Sequence, residues 1–63
     1  MNNTKDAILA YMKEHKNIQM YILRNHFRSD SNYERAFSAL IDENKIETKY
    51  VNGINHVRIG PAV

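Results

Sequence analysis

The three histidines of this chain, His15, His26 and His56, are the side chains best suited to metal binding or proton transfer. They are separated by 11 and 30 residues, with no local ligand pairing, whereas a metal site needs several convergent ligands. The sequence also lacks a visible pair of catalytic carboxylates, a nucleophile–base set and a glycine-rich phosphate loop. We therefore expect no metal, no cofactor and no enzymatic activity.

Length and composition predict one small domain spanning residues 1–63. A chain of 63 residues buries only a small core, and the absence of cysteine is compatible with the cytoplasm. No apolar run approaches the roughly 20 residues that cross a bilayer, and the polar first residues do not resemble a signal peptide. We expect a cytoplasmic protein with no membrane partner. The formal net charge of +2 is too small to indicate nucleic acid by itself.

Apolar residues at helical spacing predict three helices in the first two thirds of the chain. Asn3 and Thr4 can cap the first of them, and a short extended stretch at residues 17–19 follows it. We expect helix 1 at about 4–15, helix 2 at about 20–27 and helix 3 at about 32–43.

Local signals predict how the helices begin and end. Ser31 and Glu34 have the spacing of a capping box, so the Ser31 hydroxyl should bond to the backbone at Glu34 while the Glu34 carboxylate reaches back. Asn17 and Asn44 should adopt the left-handed conformation that ends helices 1 and 3.

The carboxyl-terminal third predicts a β-hairpin over about 46–59. Asn52-Gly53 lies between two runs rich in β-branched and aromatic residues, which is typical of a type I′ turn. Counting outward from the turn places Glu47 opposite Arg58, a favourable cross-strand pair that supports this register. The face expected to lie on the helices carries Ile46, Thr48, Tyr50, Val57 and Ile59. The other face carries Glu47, Lys49, His56 and Arg58, with Val51 and Ile54 near the tip.

The pattern Ser31-x-Tyr33-x3-Phe37-x2-Leu40-x3-Asn44-x-Ile46 resembles the third helix and first wing strand of winged helix-turn-helix DNA-binding domains. Upstream, Ile18-Gln19-x3-Leu23 is similar to the strand and second helix of that superfamily. The resemblance covers about residues 4–59. It implies an α+β fold, in which a three-helix bundle with a helix-turn-helix ends in a two-stranded β-hairpin, the wing.

The resemblance also implies binding to double-stranded DNA by a transcriptional regulator or an accessory protein of a mobile element. Helix 3 would enter the major groove, where arginine and asparagine can read guanine and adenine, and the wing would contact the phosphate backbone. The candidate DNA-contacting residues are Arg28, Ser31, Asn32, Arg35, Ser38, Lys49, Asn52, Asn55, His56 and Arg58.

Two other functions remain open. Winged helices also bind proteins, so the second hypothesis is a protein-interaction module. Within the DNA-binding hypothesis, a homodimer on two half-sites is consistent with so small a domain. The candidate protein interface is Tyr11, Val51 and Ile54. Single-strand or RNA binding requires exposed aromatic rings on a basic surface. We rank it lower because the spacing of the aromatic residues predicts that they lie in the core.

Overall fold

The computed structural model describes residues 4–62 and has a small α+β fold. Three helices accompany a three-stranded antiparallel sheet with strand order β1-β3-β2. No helix within residues 4–62 is both long enough and apolar enough to cross a membrane. The elements in chain order are α1 (Thr4–His15), β1 (Asn17–Gln19), α2 (Met20–His26), α3 (Tyr33–Asp42), β2 (Ile46–Val51) and β3 (Ile54–Ile59).

The core lies where the inner face of the sheet meets the three helices. On α3, Tyr33, Ala36 and Leu40 are buried at helical spacing, and Phe37 and Ile41 pack at their edge. The remaining fully buried apolar side chains come from the other helices and from the hairpin, namely Ile8, Met12, Leu23, Ile46 and Val57.

The register of the hairpin is confirmed at every position from Val51 opposite Ile54 to Ile46 opposite Ile59. Asn52 and Gly53 both have positive φ, 52° and 79°, as a type I′ turn requires. The extended stretch after helix 1 is also confirmed. It forms β1, which pairs antiparallel with β3 at the edge opposite β2.

The left-handed end of α3 is confirmed at Asn44, and the one predicted at Asn17 is wrong. Asn44 has φ of 61°, and its N–H donates to the Ile41 carbonyl at 3.0 Å, as in a Schellman motif. After α1, Lys16 takes the positive φ, 66°. Asn17 cannot do so because it is extended in β1, opposite Arg58.

The predicted capping box before α3 is also wrong. Asn32, not Ser31, directly precedes the helix, and no side chain caps it. Instead, the Asp30 carboxylate accepts the Asn32 N–H at 2.8 Å, which is a turn that aspartate commonly makes with its own backbone. The Glu34 carboxylate is drawn away by Arg24, whose Nη2 lies 3.3 Å from Glu34 Oε2.

Asp30 also connects the start of α1 to the segment before α3. The Thr4 hydroxyl donates to Asp30 Oδ2 at 2.8 Å. The alternative cap predicted at Asn3 lies outside the described residues. Just after the other end of α3, Lys5 Nζ lies 2.5 Å from Glu43 Oε2. The first turn of α1 therefore contacts the chain at both ends of α3.

The outer half of the hairpin extends beyond the helices. Ile46 and Val57 are buried as predicted, but Thr48 is exposed and Tyr50 is 69% exposed. The prediction that Tyr50 packs on the helices is therefore wrong. The pleat places it on the inner face, but the helices cover only the half of the hairpin farther from the turn.

The chain after β3 returns against the end of α3. The Gly60 N–H donates to the Lys45 carbonyl at 2.8 Å, and the Ala62 N–H donates to the Asn44 carbonyl at 3.0 Å. Gly60 is buried, and a Cβ there would lie 2.9 Å from the Asn44 carbonyl carbon. This position therefore requires glycine because another backbone segment is too close.

Candidate nucleic-acid interface

The solvent face of α3 presents the polar residues predicted to read bases. Asn32, Arg35 and Ser38 are all exposed, on the side of the helix away from the buried Tyr33 and Ala36. The Arg35 side chain has no hydrogen bond or ion pair with any residue in 4–62. Its guanidinium is therefore available for an external partner.

A groove between α2 and α3 brings two further predicted residues together. Arg28 and Ser31 line it, with Arg24 and Glu34 facing each other across it. The two acids nearby are engaged within the protein, since Glu34 pairs with Arg24 and Asp30 accepts hydrogen bonds on both carboxylate oxygens. Arg24 therefore offsets the negative charge of Glu34, whereas the donors to Asp30 are neutral and leave its charge to repel an approaching phosphate.

The hairpin divides its predicted residues between two faces because strand side chains alternate. Lys49, His56 and Arg58 surround a shallow depression on the outer face. Arg58 contacts Glu47 through Nε and Nη2, whereas Lys49 has no ion pair among the described residues. Asn55 points to the other face and lines a groove against α2, and Asn52 is exposed in the turn.

Sequence reasoning missed a polar stripe on α2. Tyr21, Arg24, Asn25 and Arg28 line one continuous surface of this helix and the turn after it, and only Arg28 was among the predicted site residues. Their positions i, i+3, i+4 and i+7 are the spacing of one helical face. This signal was present in the sequence, but it was overlooked beside the apolar positions of the same helix.

The candidate protein interface divides between two places. Val51 and Ile54 are neighbours across the turn and are 37% and 41% exposed. Tyr11 is half-buried, and its ring centroid lies 4.3 Å from that of His26. Tyr11 therefore lies near the last residue of α2, His26, whereas the hairpin tip faces the first turn of that helix. The three residues do not form one continuous interface.

Within the described part of the chain, the pKa values of Tyr33 and Glu43 are shifted. Burial raises the pKa of Tyr33 to about 12, and the negative charge of Glu34 acts in the same direction while Arg24 opposes it. The hydrogen bond from Lys5 lowers the pKa of Glu43, and the charges of Lys5 and Lys45 add to this effect.

Within residues 4–62, no three His, Cys, Asp or Glu side chains are grouped so that they could hold a metal ion. No protein-family model matches the chain, and neither does any curated protein or solved structure at a significant level. Function must therefore be inferred from the residues and their arrangement.

Proposed function

We propose that this chain is a winged helix-turn-helix domain that binds double-stranded DNA. In this assignment α2 and α3 form the helix-turn-helix, and β2 and β3 form the wing. The support is the order of elements, in which helix, strand, helix and helix precede the hairpin, together with the resemblance of the sequence pattern to that superfamily.

The observation that carries the proposal is the distribution of unpaired cations. Arg28, Arg35 and Lys49 are exposed and have no ion pair within residues 4–62, whereas Glu34 and Glu47 are each engaged by an arginine. No carboxylate among the described residues neutralises these three cations, so they are available to the phosphates of a polyanion.

The proposed roles follow from the positions of these residues. Asn32, just before α3, and Arg35, within it, contact base edges in the major groove, and Ser38 adds a less selective contact. The wing residues contact phosphates, which supply most of the affinity without sequence preference. A cytoplasmic regulator or mobile-element accessory protein is the proposed setting. A homodimer through Val51 and Ile54 would place two domains on adjacent half-sites.

The test is fluorescence anisotropy with labelled mixed-sequence duplex DNA at several salt concentrations. Log K should fall by about 0.9 per contacted phosphate for each unit of log salt. Arg35→Ala should weaken binding to the preferred sequence by about 1–3 kcal/mol, and Lys49→Ala should weaken all sequences and reduce the salt slope by about one. Lys13→Ala is the charge-matched control, since Lys13 is an exposed residue of α1 outside the proposed surface.

Absence of duplex binding at low salt would refute the proposal. So would equal affinity of the parent, Arg35→Ala and Lys49→Ala proteins. Equal weakening by Lys13→Ala and Lys49→Ala would indicate general electrostatic attraction and refute the assigned surface.

A protein-interaction module is the second candidate, and exposed apolar side chains favour it. Among residues 4–62, five large apolar side chains are between 37% and 69% exposed, namely Tyr21, Ile22, Tyr50, Val51 and Ile54. Solvent-exposed apolar groups that are close together commonly mark interaction sites. Failure to bind duplex DNA would make this the leading function, with the hairpin tip as the first region to mutate.

A further inference from the structure

A groove separates the first turn of α2 from the turn of the hairpin. Tyr21 and Arg24 form its helical wall, and Gly53 and Asn55 form its hairpin wall. The groove continues along α2 past Asn25 to Arg28. Its lining combines the Tyr21 ring, the apolar side chains of Met20 and Ile54, polar and charged side chains of both walls, and the turn at Gly53.

Two tyrosines beside this groove are exposed, contrary to the prediction that the aromatic residues lie in the core. Tyr21 is 66% exposed and Tyr50 is 69% exposed, whereas Tyr33 is only 6% exposed. Tyr50 is paired with Asn55, so both lie on the hairpin face towards the groove. The Tyr50 hydroxyl lies beside Gly53, 3.9 Å from the position that a Cβ would occupy there. Tyr50 therefore lies at the rim of the groove.

Two arginines, Arg24 and Arg28, follow Tyr21 along the same face of α2. Arg28 has no ion pair with the described residues. Arg24 pairs with Glu34 at 3.3 Å, but the two side chains are 69% and 73% exposed. An ion pair this exposed contributes little to stability, so Arg24 can also turn towards a phosphate without a large cost to the fold.

We infer that this groove binds single-stranded nucleic acid, with an unpaired base stacked on Tyr21 and its flanking phosphates on Arg24 and Arg28. Base–aromatic stacking beside a positively charged track is how proteins hold single strands. A duplex cannot make this contact, because its base faces are covered by neighbouring base pairs. The two arginines on the same face of α2 as Tyr21 favour a phosphate-bearing ligand over a protein partner. The site goes beyond the proposed duplex function, since it uses none of the base-reading residues of α3.

The test compares labelled single-stranded DNA, single-stranded RNA and blunt duplex DNA of one sequence by fluorescence anisotropy. Tyr21→Leu should weaken single-strand binding by about 5- to 150-fold, the range of a lost base–aromatic stack. Tyr21→Phe should retain binding because it keeps the ring. Duplex affinity should be unchanged by Tyr21→Leu. Tighter binding of RNA than of DNA would assign the 2′-hydroxyl as part of the ligand.

Controls separate stacking from general effects. Ile22→Ala changes a neighbouring residue of α2 that is 40% exposed and does not line the groove, so it should bind like the parent. Arg28→Gln should reduce the salt dependence of single-strand binding more than Lys13→Gln. Circular dichroism should show the same helix content in each variant, because the substituted side chains are exposed.

Three results would overturn the inference: no single-strand binding at low salt, equal affinity of Tyr21→Leu and the parent, or equal loss of single-strand and duplex affinity in Tyr21→Leu. The two proposals fail separately. Duplex binding that depends on Arg35, without single-strand binding, refutes only the groove. Single-strand binding that depends on Tyr21, without duplex binding, refutes only the duplex function.

Discussion

Raising the pH above the ordinary pKa of tyrosine should destabilise this protein through one buried phenol, that of Tyr33. The side chain is 6% exposed, and its ring stacks on Phe27 with ring centroids 5.8 Å apart. Burial raises its pKa from 10.0 to about 12, and the nearby Glu34 charge adds to the shift. The folded protein therefore keeps the phenol protonated over a pH range in which the unfolded chain loses the proton.

The sign and size of the effect follow from linkage. Because the folded-state pKa is raised, the stabilisation is fully present below about pH 10 and is lost as the pH rises through about 12. Each pH unit between the two pKa values corresponds to about 1.4 kcal/mol. The free energy of unfolding should therefore fall by about 2–3 kcal/mol from this group alone, a large share of the stability of so small a domain.

The assay is urea unfolding, followed by circular dichroism at several pH values between about 9 and about 12, for the parent and for Tyr33→Phe. Lysines and the other tyrosines titrate in both proteins, so the difference between the two curves isolates Tyr33. The parent should lose about 2–3 kcal/mol more than the variant over this range. Glu34→Gln should make the loss smaller, because it removes a charge that raises the pKa. Parallel curves for the parent and Tyr33→Phe would refute the reasoning.

Three further outcomes are expected. Gly60→Ala should destabilise the fold by about 1–3 kcal/mol in urea unfolding, because the new Cβ would collide with the Asn44 backbone; an unchanged midpoint would contradict this. Gly53→Ala should cost about 1–2 kcal/mol for a different reason, its φ of 79°, and chemical synthesis with D-alanine at this position should restore stability. Lys5→Met should raise the pKa of Glu43 towards 4.5, as measured by NMR titration of its carboxyl group, and no change would show that the Lys5 contact does not form in solution.

The sequence predicted the elements whose signals are short in range. The Asn52-Gly53 turn determined the hairpin register because a two-residue type I′ loop leaves only one pairing. Asn44 was correctly predicted to end α3, since few other residues adopt positive φ easily. Helix 1 was predicted at its observed bounds, and helices 2 and 3 to within one residue at each end.

The errors at helix ends arose where a distant residue competed with a local signal. Glu34 has the right spacing for a capping box, but Arg24 offers it an ion pair across the groove. Asn17 is a good left-handed residue, but its place in β1 opposite Arg58 requires extended backbone. In both cases the competing partner belongs to another element, so the local sequence pattern does not reveal it.

Burial of the aromatic residues was decided only by the tertiary structure. Alternation along β2 correctly placed Tyr50 on the face shared with Ile46, but it could not show that the helices stop short of the hairpin tip. In the same way, helical spacing could place Tyr21 and Arg24 on one face, but it could not show that this face and the hairpin turn form the two walls of a groove. Periodicity determines which way a side chain points, because it is a property of one element. Whether another element covers that side chain depends on the lengths and packing of elements far apart in the chain.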